Sequence, residues 1–282
     1  MMMMMGAVDV LRDVALDDME RRAAAANSSQ ASGSASVTTA FAVLSEPLVS
    51  RAMSDEDTTT GPVLVFAVGR AASRVIHGCE FAKLRGSVVV GEKSLANNAE
   101  HPSVADEACY LFVDESDGTV LVSCQYDELT SAQSDAVVRA IVQAMGASPP
   151  RKTVVLATMP NAAMRAHASP PAAAYFVETD ATSSSSEGED AVDEATALPL
   201  PPGNVVDGTA ACMLTACQHR GWQARLFVAV SQTGGGLADA TCGDEARKLA
   251  DVLKSATGGR LGASVAKDPG VLTSTSSASL YA

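Results

Sequence analysis

Positive charge and aromatic side chains are both scarce in this 282-residue sequence. Twenty Lys and Arg face 33 Asp and Glu, a formal net charge of −13, and Phe, Trp and Tyr together make up 4% of the chain. An acidic surface repels phosphate backbones and anionic headgroups, which argues against a nucleic-acid or membrane-surface role. No uncharged apolar run approaches the ~18 residues that a membrane-spanning helix needs. No block recurs at the ~30–45-residue spacing of helical repeats. The opening Met run leads into Asp9, Asp13, Asp17 and Asp18, which suits neither a signal peptide nor an Arg-rich transit peptide. The expected setting is the cytoplasm, with the nucleus also open to it.

Motifs for chemistry are equally thin. The turn after Pro62–Val68 reads Gly69-Arg70-Ala71-Ala72-Ser73 and holds neither GxGxxG nor GxxxxGK[ST], so it specifies no phosphate cradle. No Ser lies in a GxSxG elbow. Gly234–Gly236 precede a helix and could offer N–H groups to an anion, but triple Gly adds entropy without fixing a nest, and a strand-to-helix loop is the better reading. His77, His101, His167 and His219 stand in four unrelated contexts. Cys212, Cys217 and His219 only look like metal spacing, because helix residues five apart point ~140° away from each other. The six cysteines (79, 109, 124, 212, 217 and 242) fit reduced, buried thiols rather than a disulfide framework. No catalytic residue, cofactor site or metal site is expected.

What is present is a run of buried strands alternating with amphipathic helices. Strands are expected at Val37–Leu44, Pro62–Val68, Ser87–Val90, Thr153–Ala157 and Leu226–Val230, with Cys109–Val113 and Thr119–Gln125 joined as a hairpin by a Gly turn. Arg70–Ile76 reads as a short helix. Thr130 and Gln133 form a capping box for a helix reaching Met145, whose apolar stripe is Val137, Val138, Ile141, Val142 and Met145. Asn204 is the expected N-cap of a further helix with Val206, Ala210, Met213 and Cys217 on one face, stopped by Gly221 with Trp222 packing back. Asp239–Lys254 is a last helix with Ala246, Leu249, Ala250 and Leu253 inward. The fold class that follows is α/β, with a mixed, largely parallel sheet flanked by helices.

Composition divides the chain. Residues 1–35 are expected to be disordered, and 36–256 to form one α/β domain. Residues 159–203 read as a long insertion. Within it, Glu178, Asp180, Glu187, Glu189, Asp190, Asp193 and Glu194 place seven acids in a Ser-rich stretch, and no Lys or Arg occurs between Arg165 and Arg220. A disordered acidic loop over about 178–200 is the expectation. Residues 257–282 form a tail. It ends in Leu280, Tyr281 and Ala282, a hydrophobic-Tyr-X group behind the small polar stretch Thr273–Ser279, which suits capture of a C-terminal carboxylate by a partner.

Four segments in order carry a resemblance: VLVFAVGRAASRVI (63–76), VLVSCQYDELTSAQSDAVVRAIVQAM (120–145), PRKTVVLAT (150–158) and PGNVVDGTAACMLTACQHRGWQARLFVAV (202–230). With the terminal Leu-Tyr-Ala, the sequence resembles the proteasome assembly chaperone 1 family, the larger partner of the heterodimer that helps to build the 20S proteasome α-ring. The resemblance implies a non-catalytic, phosphorylase-like α/β fold. It also implies proteasome assembly chaperone 2 as partner, 20S α-subunits as clients, and Leu280, Tyr281 and Ala282 as a docking tail. The Met-rich start, residues 92–106 and residues 178–197 have no counterpart in that family. A small-molecule enzyme of nucleoside-phosphorylase or hydrolase type is the alternative on the same fold, and a scaffold acting through the acidic loop is a third reading.

Overall fold

Continuous apolar runs such as Val63–Val68 bury both faces, so they belong inside a sheet covered by helices on each side. The computed structural model of the chain has that architecture, and it describes residues 40–44, 48, 61–79, 82–90, 107–126, 129–146, 149–165, 174–183, 196–231, 238–259 and 261. All of them fall in one compact unit, Ala40–Ala282. The strands are β1 (Ala40–Leu44), β2 (Val63–Val68), β3 (Ala82–Val90), β4 (Cys109–Asp114), β5 (Val120–Cys124), β6 (Lys152–Pro160), β7 (Ala174–Glu178), β8 (Ala197–Pro199) and β9 (Ala224–Ser231). The helices are α1 (Arg70–His77), α2 (Ser131–Ala144), α3 (Asp180–Ser183), α4 (Gly208–Arg220) and α5 (Ala238–Ala256). They build one nine-stranded sheet in the order β1-β3-β4-β5-β2-β6-β9-β7-β8.

The sheet is mixed and flanked by helices, as expected. Its parallel part is the centre, β5-β2-β6-β9, together with the β7–β8 pair. The β1-β3-β4-β5 side and the β7–β9 junction are antiparallel. Strand alternation sorts the core onto two faces. Leu64, Phe66, Val122, Val155, Leu226 and Val228 face α2 and α4, where Val137, Ile141 and Met213 meet them. Val65, Leu121, Val154, Leu156 and Phe227 face α1 and α5, against Val75, Ile76, Leu249 and Leu253.

Local signals hold where they are strong. The Gln133 amide N–H donates to Thr130 Oγ1 at 3.3 Å, and Thr130 N–H donates back to Gln133 Oε1 at 2.9 Å, completing the expected capping box. Gly221 (φ 65) ends α4, its N–H reaching Gln218 O at 3.2 Å while Trp222 N–H reaches Cys217 O at 3.0 Å, the paired bonds of a Schellman stop. Gly118 (φ 72) turns the β4–β5 hairpin.

Three expectations change. Residues 159–203 are no bare insertion, since they contain β7, α3 and β8, and the expected disordered stretch 178–200 is structured at both of its ends; residues 184–195 lie outside the described set. Order there comes from tertiary partners. Glu178 is the register partner of Arg225, and Asp180 exchanges hydrogen bonds with Gln218 at 3.0 and 2.6 Å. Asn204 is not the N-cap of α4: Asp207 holds that place, without a side-chain cap bond. Asn204 instead accepts from Arg165 N–H at 2.7 Å and donates to Pro201 O at 2.9 Å, tying the end of β6 to the chain before α4. Residues 1–35, the Gly234–Gly236 turn, His101 and His167 lie outside the described residues.

Candidate functional site

In an α/β sheet the carboxyl ends of parallel strands are the usual place for a ligand, above all where the order switches direction. Here β2 is that strand, with β5 on one side and β6 on the other. Its exit turn uses Gly69 at φ 83, a conformation that strains residues with a Cβ. The Gly69 N–H donates to Cys124 O at 2.9 Å, so the first donor of this turn is already held by the neighbouring strand. α1 follows directly, with no acidic residue in its first turn.

α1 lays a set of polar side chains beside the ends of β4 and β5. Gln125 Nε2 donates to His77 Nε2 at 2.9 Å. The imidazole meets Tyr110 and Phe112 edge-on, with centroids 6.2 and 5.6 Å away. Ser73, one turn before His77, and Ser123, beside Ala67 and Tyr110 in the ladder, are both fully buried, and neither hydroxyl has a hydrogen-bond partner among the described residues. A serine nucleophile has to be reached by substrate and by a base. These hydroxyls are shut in, and the His77 Nε2 contact is an amide.

The charged groups are structural in the same sense. Arg225 places Nε and Nη2 at 3.0 and 2.6 Å from Glu178 Oε2, and its guanidinium lies 5.1 Å from the centre of the Phe176 ring. Lys83 and Arg85 on β3 both pair with Glu115 in the β4–β5 turn, and the Lys83 hydrogen bond holds the Glu115 carboxyl below its usual range. Burial, helped by the nearby Asp114 charge, pushes the Cys79 thiol up to about 12. Burial pushes the Cys217 thiol up to about 11, against the opposing pull of the Thr153 hydroxyl and Arg220. Cys212 is half-buried and its thiol is also raised, by burial first and then by Asp135. Among the described residues no three His, Cys, Asp or Glu side chains gather as metal ligands, and no helix is long and apolar enough to cross a membrane.

The expected docking residues Leu280, Tyr281 and Ala282 lie outside the described residues, and the described chain ends at Leu261, buried against the α5 face of the sheet. Sequence reading missed the Arg225–Glu178 pair and the apposition of Cys109 and Cys124 in the hairpin. The second was within reach, because pairing Asp114 with Thr119 across the Gly118 turn sets 109 opposite 124.

No family model matches the sequence, and no curated protein does. Solved structures do share its architecture. Pyrococcus furiosus PbaA, described as an archaeal homolog of proteasome-assembly chaperone, superposes with a TM-score of 0.51 at 11% identity, over 76% of this chain and 85% of that one. Pyrococcus furiosus PbaB, described as an archaeal proteasome activator, gives 0.51 at 13% identity, over 78% and 89%. The likeness is one of fold.

Proposed function

We propose that this chain is a non-catalytic assembly chaperone that pairs with proteasome assembly chaperone 2 and promotes formation of the 20S proteasome α-ring. The observation that carries the reading is the fold held in common with PbaA over three quarters of the chain, in a sequence whose ordered segments resemble that family. The burial of Ser73 and Ser123 and the contact of His77 with Gln125 support a binding role over catalysis on the same sheet.

Leu280, Tyr281 and Ala282 are the proposed docking group between neighbouring α-subunits. Twenty-one residues follow Leu261 as far as Ala282, a span that covalent geometry lets reach at most ~75 Å. The Ala282 carboxylate would pair with a Lys ammonium, and Tyr281 and Leu280 would bury their side chains for roughly 1.5–3 kcal/mol each at full burial. Ordering the preceding residues opposes this by about 1 kcal/mol or more per residue. The tail then acts as a second foothold beside a surface of the folded domain.

The test is affinity purification of the tagged chain from cells with mass spectrometry of its companions. Recovery of the second chaperone and of 20S α-subunits without β-subunits is expected. Deleting Leu280–Ala282, or Tyr281→Ala, should weaken α-subunit recovery ~10–100-fold while leaving the heterodimer intact. Recovery of unrelated enzymes with no α-subunit would reject the reading, and full binding by both tail variants would reject the tail.

A further inference from the structure

The β4–β5 hairpin brings two cysteines face to face at its open end. Cys109 is the first residue of β4, Cys124 is the last of β5, and they are direct partners in the antiparallel ladder. The ladder also fixes what kind of partners they are. Asp114 N–H donates to Thr119 O at 2.9 Å and Gln125 N–H to Ala108 O at 2.8 Å, so the 114/119 and 108/125 pairs are hydrogen-bonded. By alternation 109/124 is a non-hydrogen-bonded pair, the kind with Cα atoms about 4.5 Å apart and the closer side chains. That spacing lies inside the roughly 4.4–6.8 Å that a disulfide spans.

Both side chains point into the α2/α4 side of the core, and both residues are 0% exposed. The Cys109 thiol stands well above its ordinary value, first through a side-chain hydrogen bond with its cross-strand partner Cys124 and then through burial. Tyr126 sits beside the pair and anchors it to the next strand, its hydroxyl donating to Val88 O at 2.9 Å. Both cysteines are free thiols in the structure.

We propose that Cys109 and Cys124 form an oxidation site, which a hydroperoxide converts into a cross-strand disulfide that fastens the open end of the β4–β5 hairpin. The chemistry balances with hydrogen peroxide as the oxidant. One thiolate attacks a peroxide oxygen, the O–O bond breaks, the cysteine becomes a sulfenic acid, and the departing hydroxide takes up the thiol proton to leave as water. The second thiol then attacks that sulfur, the S–S bond forms, and a second water leaves with its proton. Two electrons and two protons pass from the thiols to the peroxide. Neither sulfur is accessible in the closed hairpin, so reaction follows opening of the strand ends. On reclosing, each sulfur finds the other ahead of any outside thiol. The Gly69 N–H bond to Cys124 O places this fastening at the start of α1.

The test treats the full-length chain with hydrogen peroxide in native buffer, alkylates it under denaturing conditions, and maps unreduced peptides by mass spectrometry. A linked peptide pair holding Cys109 and Cys124, lighter than the reduced pair by two hydrogen atoms, is expected. Amide exchange over 108–126 should slow ~10-fold or more in the oxidised protein. Cys79→Ser should leave the link unchanged and Cys109→Ser should abolish it. Recovery of 109 and 124 as alkylated thiols after an exposure that oxidises the urea-unfolded chain would overturn the proposal. So would their recovery as sulfinic or sulfonic acids, or linked to Cys79 or Cys217.

Discussion

Gly86 is the position where one added carbon should do the most damage. β3 carries a register shift between Leu84 and Gly86 against β4, and on its other side Gly86 pairs with Leu44 of β1. A Cβ at 86 would lie 2.0 Å from Val43 O and 3.0 Å from both Cα and Cδ2 of Leu44. A carbon–oxygen contact needs about 3.3 Å, so β1 would have to retreat by more than ~1 Å, enough to break the ladder bonds at that point. Overpacking of this kind costs ~1–3 kcal/mol, and each ladder bond lost adds about 1 kcal/mol. Gly86→Ala should therefore destabilise the domain by about 2–4 kcal/mol, roughly 5–12 °C in Tm for a domain of this size. Trp222, the single tryptophan, reports unfolding by fluorescence, and hydrogen exchange over 40–44 reports β1 directly. The obstacle is backbone, so adding Leu44→Ala should not rescue the variant. Unchanged exchange at 40–44 with a midpoint within ~0.5 kcal/mol of wild type would refute the reasoning, as would rescue by the second substitution.

Three further outcomes follow from the charged and thiol groups. Glu178→Gln removes the anion held by Arg225, whose side chain is 8% exposed against 26% for the glutamate; a loss of about 2 kcal/mol is expected by urea titration. Arg225→Lys should not be neutral, because the two-nitrogen contact and the stack on Phe176 both need the planar guanidinium. The Cys79 thiol is raised from its ordinary 9.0 to about 12, so its stabilising effect is complete below pH ~9 and declines as pH rises towards 12. By pH ~10.5 the decline should reach about 2 kcal/mol, seen as a urea-midpoint loss that shrinks in Cys79→Ala; an equal loss in both proteins would refute it.

Which parts of this fold could be read from sequence depends on where their stability originates. β2, β9 and the α2 capping box are specified by residues within a few positions of each other, and they were legible. β7, α3 and β8 are not self-sufficient. β8 is three residues long and ends in Pro199, and α3 is four residues long. β7 and α3 are held where Arg225 pairs with Glu178, Gln218 bonds Asp180, and the Thr179 and Thr182 hydroxyls donate to Ala224 O at 3.4 and 3.2 Å, and β8 is held by its pairing with β7. Read alone, an acid-rich and Ser-rich stretch resembles solvated loop. Asp207, which the sequence reading did not single out, is as good a cap by type as Asn204, and a tertiary contact with Arg165 claims Asn204.

The exits of β2, β5 and β6 show where the described backbone donors at the carboxyl edge go. A ligand entering at the carboxyl edge needs donors and acceptors that are not already committed. At β2 the Gly69 N–H is taken by Cys124 O; at β5 the Gln125 N–H is taken by Ala108 O and its Nε2 by His77, whereas the buried Ser73 and Ser123 hydroxyls have no partner among the described residues. Beyond β6 the Met164 N–H is taken by Asn161 O and the Arg165 N–H by Asn204 Oδ1. Each bond is worth only about 1 kcal/mol net, yet a ligand competing for several must break all of them while leaving buried partners unsatisfied, which costs more than the bonds gained. At these described positions the backbone donors hold helix and loop to the sheet.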